Sequence, residues 1–265
     1  MRLPRTVYII LNVYALILAG IMIWPVLQML LTSVTSDVVF PPQNFSLNAF
    51  NRVLWPGFFH SMGVSLQLGF WSTLLLISIC LPTAYVLERR RFPGRSLLSA
   101  VIFVPTIFPS VTYVIAIGVY VAIYFIELRG TFPIIVIATA MGAIPLVVRT
   151  IQGSLATSDP VYEEAAVVMG ASPMQAFFRV TLPLIAPGVI TAATIAFTFS
   201  ATNFLAPWIL GATDPPVAVY IYRDVERLGF TPELAVQVLV MEFIILGMVQ
   251  GLYFVFRKQL RGVFT

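Results

Sequence analysis

The sequence holds one cysteine, Cys80, and one histidine, His60. A single thiol excludes an intrachain disulfide framework and any thiolate cluster, so it carries no information on redox compartment. A single imidazole argues against a histidine-built metal centre. Charge is scarce too: Asp, Glu, Lys and Arg make up 10% of the 265 residues, where soluble domains carry about 25%. The 15 Lys and Arg outnumber 11 acidic residues, but in so apolar a chain their distribution matters more than their sum, and no nucleic-acid partner is inferred. No G-x4-G-K-[ST] phosphate loop is present, so ATP hydrolysis is not expected on this chain.

What fills the sequence instead is hydrocarbon: 59% apolar residues and a mean hydropathy of +0.96. This composition is that of an all-α integral membrane protein. Six runs reach the roughly 20 apolar residues that cross a bilayer core, over residues 7–31, 61–87, 96–125, 132–152, 185–210 and 234–256. Arg2 and Arg5 precede the first, which resembles a secretory signal in its flank. It is too long for a signal core and lacks a small-x-small cleavage site, so it reads as a retained span. Residues 1–265 are thus expected to form one transmembrane domain.

Orientation follows from lysine and arginine. With the N terminus cytoplasmic, the inner segments hold Arg2, Arg5, Arg89, Arg90, Arg91, Arg95, Arg149, Arg179, Arg257, Lys258 and Arg261. Only Arg52, Arg129, Arg223 and Arg227 lie outside. Excess positive charge stays inside, so both termini are expected in the cytoplasm of a multi-pass protein. Residues 32–60 and 211–233 then lie outside, and neither is large enough to fold alone. Trp24, Trp55, Trp71 and Trp208 read as interfacial anchors or packing residues. Pro82, Pro105, Pro109 and Pro145 predict kinks in spans two to four.

The inner loop 153–184 is more structured than a connector requires. Asp159-Pro160 is a helix start, with a capping carboxylate and a proline at the first position. Glu163 and Glu164 fall in the first turn, where the helix dipole favours negative charge. Gly170 can close that helix in a left-handed conformation, and Ser172 with Gln175 has capping-box spacing for a second. Met174, Phe177 and Phe178 share one face of it, and Pro183 and Pro187 are expected to break the run before span five. An apolar stripe on a short hairpin needs cover, either from this chain's own spans or from a partner.

Glu164-Ala165-Ala166, three residues, Gly170, nine residues, Val180, one residue, Leu182-Pro183 resembles the EAA loop of binding-protein-dependent ABC importer permeases, E-A-A-x3-G-x9-I-x-L-P. Every spacing matches, and Val180 for isoleucine keeps the β-branch. Six spans with this loop before the penultimate one is the layout of the type I importer (MetI-like) permease fold. The resemblance implies a bacterial inner-membrane transporter subunit that forms half of a translocation path by alternating access. Glu163, Glu164, Ala165, Ala166, Gly170, Val180, Leu182 and Pro183 would couple it to an ATPase. It implies two ATPase subunits carrying ATP and Mg, a second permease, expected to be a different chain, and an extracytoplasmic substrate-binding protein. No cofactor, metal or catalytic residue is expected on this chain, which touches only lipid and these partners.

"FPPQNFSLNAFNRVL", "LRGTF", "NFLAPWILG" and "VYIYRDVERLGFTPELA" are similar to the subgroup that carries polyamines, opines and phosphonates. Sugar permeases commonly have aspartate before the EAA glycine, and Met169 stands there. Ferric iron, thiamine or a sugar is the alternative cargo, and a secondary transporter a remote one. The latter would show internal repeats, and no second EAA segment occurs. Two span residues are candidates for the path. Glu242 lies about 12 Å from the outer end of span six, where an uncovered charge costs on the order of 2–3 kcal/mol; it either attracts a cationic substrate or pairs structurally. Asn203, in span five, either touches substrate or bonds between helices.

Overall fold

A computed structural model describes residues 5–36, 38, 44–53, 56–107 and 110–261. Twelve α-helices occur among them: α1 Arg5–Ser33, α2 Asn48–Val53, α3 Pro56–Arg89, α4 Arg95–Ile107, α5 Ser110–Tyr124, α6 Phe132–Thr157, α7 Val161–Val168, α8 Pro173–Ala176, α9 Leu182–Ala201, α10 Leu205–Leu210, α11 Val217–Leu228 and α12 Pro232–Arg261. The extended backbone contributes one isolated bridge, Thr35 with Phe45, among the described residues. Among the described residues, five helical segments are long and apolar enough to cross a membrane: Leu11–Ser33, Pro56–Arg89, Phe132–Thr157, Pro173–Ala201 and Pro232–Gly251. These correspond to expected spans one, two, four, five and six.

Of span three, expected over 96–125, the structure describes α4 and α5, and residues 108–109 between them lie outside the described residues. Pro105 lies inside α4, whereas Pro109, like Trp55 and Arg2, lies outside the described residues. The fifth span differs at both ends from 185–210. Helix runs without a break from Pro173 through Ala201, and stops at Thr202, before the short α10. Pro183 and Pro187 do not interrupt it. Pro183 directly follows a π turn, Phe177–Thr181, in which the Leu182 N–H reaches back to Phe177, so it stands where the ladder changes register.

Contacts divide the chain into two compact units, Met1–Phe59 with Ile221–Phe243 and His60–Tyr220 with Ile244–Thr265. In the second, α3, α6 and α9 share a core of Leu76, Cys80, Leu87, Val147, Ile151 and Ile185. Lipid is as apolar as these side chains, so close packing, aided by small residues, must hold such a core. The α6–α9 crossing has that character: a Cβ on Gly188 would collide with Ser154, whose Oγ donates to the Ile185 carbonyl at 3.4 Å. A second cluster joins Leu68, Val114, Ile135 and Leu210 from α3, α5, α6 and α10. In the first unit, Asp224 of α11 is buried and accepts from Arg227 at 2.9 Å and from Gln237 of α12 at 3.4 Å. An aspartate this enclosed requires such donors.

Candidate functional site

The hairpin between α6 and α9 is built from local rules, each met by a named atom. Asp159 Oδ1 accepts from the Val161 N–H at 3.0 Å and so caps α7. Gly170 has φ +98°. Beside it the Ala171 N–H bonds to the Ala166 carbonyl and the Gly170 N–H to the Val167 carbonyl, both at 3.0 Å. That pair of bonds is a Schellman stop, which needs a left-handed residue at Gly170. Ser172 Oγ accepts from the Gln175 N–H at 3.3 Å and Gln175 Oε1 from the Ser172 N–H at 2.9 Å. This is the capping box that the spacing suggests, and it starts α8.

The hairpin's apolar residues divide into two sets. Ala166 and Ala176 are buried, and the Phe177 ring packs edge-on against Tyr85 of α3 with centroids 5.0 Å apart. Val168 and Met169 at the turn are 87% and 82% exposed, and Met174 and Phe178 are exposed beside them. The stripe is therefore shared between this chain's own span and an uncovered tip. Ala165 is exposed, Val180 and Pro183 are half-buried, and Leu182 packs on the α3–α6–α9 core.

The two adjacent glutamates point to different surroundings. Glu164 is exposed, at the edge of a cavity of about 460 Å³ with Arg89 and Arg90 on its wall. Glu163 is half-buried, and both of its carboxylate oxygens are occupied. Oε1 accepts from the Tyr85 hydroxyl of α3, and Oε2 accepts from Thr181 Oγ1, in the π turn, at 2.6 Å. Nearby, Arg89 Nη2 donates to the Ser158 carbonyl at 2.7 Å, where the chain leaves α6. Tyr85, Arg89 and Thr181 are not distinguished by any sequence motif. Tyr85 is 78 positions from its partner, and no spacing rule reaches that far.

The path candidates fall in different compact units. Asn203 sits in the break after α9, where its Oδ1 accepts from the Ala206 N–H at 3.0 Å. Its side-chain oxygen thus serves the start of α10, not another span. Glu242 is exposed on α12, ten residues from the start at Pro232, or about 15 Å into the helix. Trp71 pairs with Phe70 on its own helix at 5.4 Å, and Trp208 of α10 with Phe204, the residue before that helix, at 5.5 Å.

Comparison with known proteins places this chain in a family. Residues 79–259 match the family model of the binding-protein-dependent transport system inner membrane component. The chain belongs to that family, and it is a multi-pass membrane protein. The sulfate transport system permease protein CysT of Salmonella typhimurium is 36% identical over 131 residues, which cover 46% of this chain and 47% of that protein. The molybdenum transport system permease protein ModB of Haemophilus influenzae is 32% identical, over 61% of this chain and 76% of that protein. The trehalose transport system permease protein SugB of Mycobacterium tuberculosis is 29% identical over 71% and 70%. The chain therefore matches about half the length of the sulfate permease and more of the other two. Among solved structures, a bacterial ABC transporter that imports the acidic polysaccharide alginate aligns over 97% of this chain and 99% of its own, with a TM-score of 0.67 and 21% identity. The MetNI methionine transporter aligns over 81% and 97%, with a TM-score of 0.60 and 20% identity. The fold is that of an ABC importer permease. None of these relatives is named for a polyamine, opine or phosphonate.

Proposed function

We propose that this chain is one transmembrane permease subunit of an ATP-driven, binding-protein-dependent importer in a bacterial inner membrane, with both termini cytoplasmic. The observation that carries this reading is the hairpin: EAA-loop spacing in a chain of this family, folded as helix, left-handed turn and helix with an uncovered apolar tip at Val168 and Met169. Small residues allow close approach to a groove. Glu164, Ala165 and the tip form the face that docks on an ATPase; Gly170 gives the turn; Val180, Leu182 and Pro183 carry the return into α9. Glu163 belongs to the same coupling element from its inner side.

Two ATPase subunits would bind ATP and Mg and supply the chemical step. Their closure pulls the hairpin and opens the path outward to a binding protein. This chain's residues transmit force and hold no nucleotide. A second permease, a different chain in this reading, completes the path. The exposed carboxylate of Glu242 supports such a neighbour, because a charge at that depth needs protein or water rather than lipid. Asn203, in the helix break after α9, is a separate candidate for contact with solute.

For the solute, the reading is a small polar ion. Glu242 and the outer segments favour a polyamine or similar cation, while relatives named for sulfate and molybdenum favour an anion as the second reading. Docking is tested by Met169→Cys in a Cys80→Ala background, with a thiol-reactive crosslinker added to native membranes. The expected product is a covalent adduct with an ATPase subunit. Lack of any adduct at Met169, when the ATPase co-purifies, would move the docking face elsewhere.

A further inference from the structure

We propose that Glu163 is a positioning residue that locks the hairpin to the end of α3, so that force applied at the hairpin tip moves that helix and does not dissipate in the hairpin's hinges. The proposal rests on the reading of the hairpin as the ATPase-coupling element, and deepens it.

Two places in the hairpin could yield under load. One is the non-helical entry at Ser158–Asp159, between α6 and α7. The other is the π turn Phe177–Thr181, where the helical ladder changes register before α9. Each is fastened to the same turn of α3, Tyr85 to Arg89. Arg89 donates to the Ser158 carbonyl at the entry. At the exit, Thr181 donates from within the π turn to Glu163 Oε2 at 2.6 Å. Glu163 Oε1 takes the Tyr85 hydroxyl, and the Tyr85 ring supports Phe177. One carboxylate thus accepts from two elements while standing on a third. Hydroxyl-to-carboxylate bonds are short and strong among hydrogen bonds, and Thr181 is 2% exposed, so water does not compete there.

This arrangement separates the work of the two glutamates. Glu164 faces outward, whereas each Glu163 oxygen already accepts a hydrogen bond from within the chain. A hairpin tied at entry, middle and exit to α3 behaves as one body with it, and α3 contributes Leu76, Cys80, Ala84 and Leu87 to the core shared with α6 and α9. Displacement of the tip is then delivered to the core of the membrane domain.

The experiment uses the full chain with its native partners in lipid nanodiscs, carrying spin labels at Val86 on α3 and Val168 on α7 in a Cys80→Ala background. The two readouts are the width of the label-to-label distance distribution and, on the unlabelled chain, the solute transported per ATP hydrolysed. Glu163→Met removes both hydrogen bonds, and Tyr85→Phe and Thr181→Val remove one each, with shape nearly kept. Each is expected to broaden the distribution at least twofold and to lower transport per ATP about fivefold. Thr181→Ser keeps the hydroxyl and is expected to match the unsubstituted protein in both. Unchanged widths in all three, or broadening by Thr181→Ser and not by Thr181→Val, would overturn the lock in favour of simple packing. The distance is readable whether or not an ATPase is present, so absence of the ATPase from the preparation would contradict the coupling reading while the lock is still decided by the widths.

Discussion

Glu163 and Glu164 are adjacent and chemically identical, and their environments assign them different tasks. A helix rotates by about 100° per residue, so neighbours on α7 face α3 and solvent respectively. The sequence marks both as first-turn acids and cannot divide them, because the donors to Glu163 come from α3 and from the π turn. Asp159, Gly170, Ser172 and Gln175 were legible for the opposite reason: their partners lie within five residues, and capping rules act over that range. Gly170 gives the sharpest test at this scale. A β-branched side chain at φ +98° is strained in open space, since nothing lies within 4 Å of a Cβ there, and the left-handed conformation costs about 1–2 kcal/mol for an L-residue. Gly170→Val is therefore expected to uncouple ATP hydrolysis from transport or release the ATPase, measured as transport and as subunit association. Normal values of both would contradict the left-handed turn as a functional requirement.

Among the elements, spans one, two, four and six were read from apolar run length with ends shifted by only a few residues, because run length and helix rise fix what can cross a bilayer. Span five was less legible. Hydropathy continues through Thr202-Asn203-Phe204, whereas the helical ladder does not. Conversely, two prolines that read as breakers ahead of span five are accommodated, one directly after a π turn and one inside α9. Hydropathy reports where a segment sits, and hydrogen-bond continuity decides where a helix ends. The α6–α9 crossing depends on the missing side chain of Gly188. Gly188→Leu is expected to separate the two helices or force Ser154 aside, at a cost of about 1–3 kcal/mol typical of overpacking. A lower melting temperature of the purified protein would register it; an unchanged one would mean the crossing is looser than described.

At the scale of the whole molecule, an apolar hairpin tip and an exposed charge far along α12 are both expensive if left alone. Val168 and Met169 have no cover from this chain, and Glu242 is exposed on a helix that carries Phe243 and Leu246 exposed beside it. A second permease and an ATPase would relieve both at once, a conclusion composition alone could not supply because it records apolar residues without recording which remain uncovered. Substrate identity is encoded less directly still, since solute contacts are few and come from residues that helices also use for packing and capping, as Asn203 does at α10.

The measurement closest to the centre of these conclusions is purification of this chain from its native membrane in several mild detergents, with mass spectrometry of what accompanies it and ligand screening of any binding protein recovered. The expected result is an ATPase, a second permease and a substrate-binding protein that takes up a small polar ion, spermidine-like or sulfate-like. Recovery of the chain alone under every condition would contradict the importer reading, since the hairpin would then have nothing to pull it.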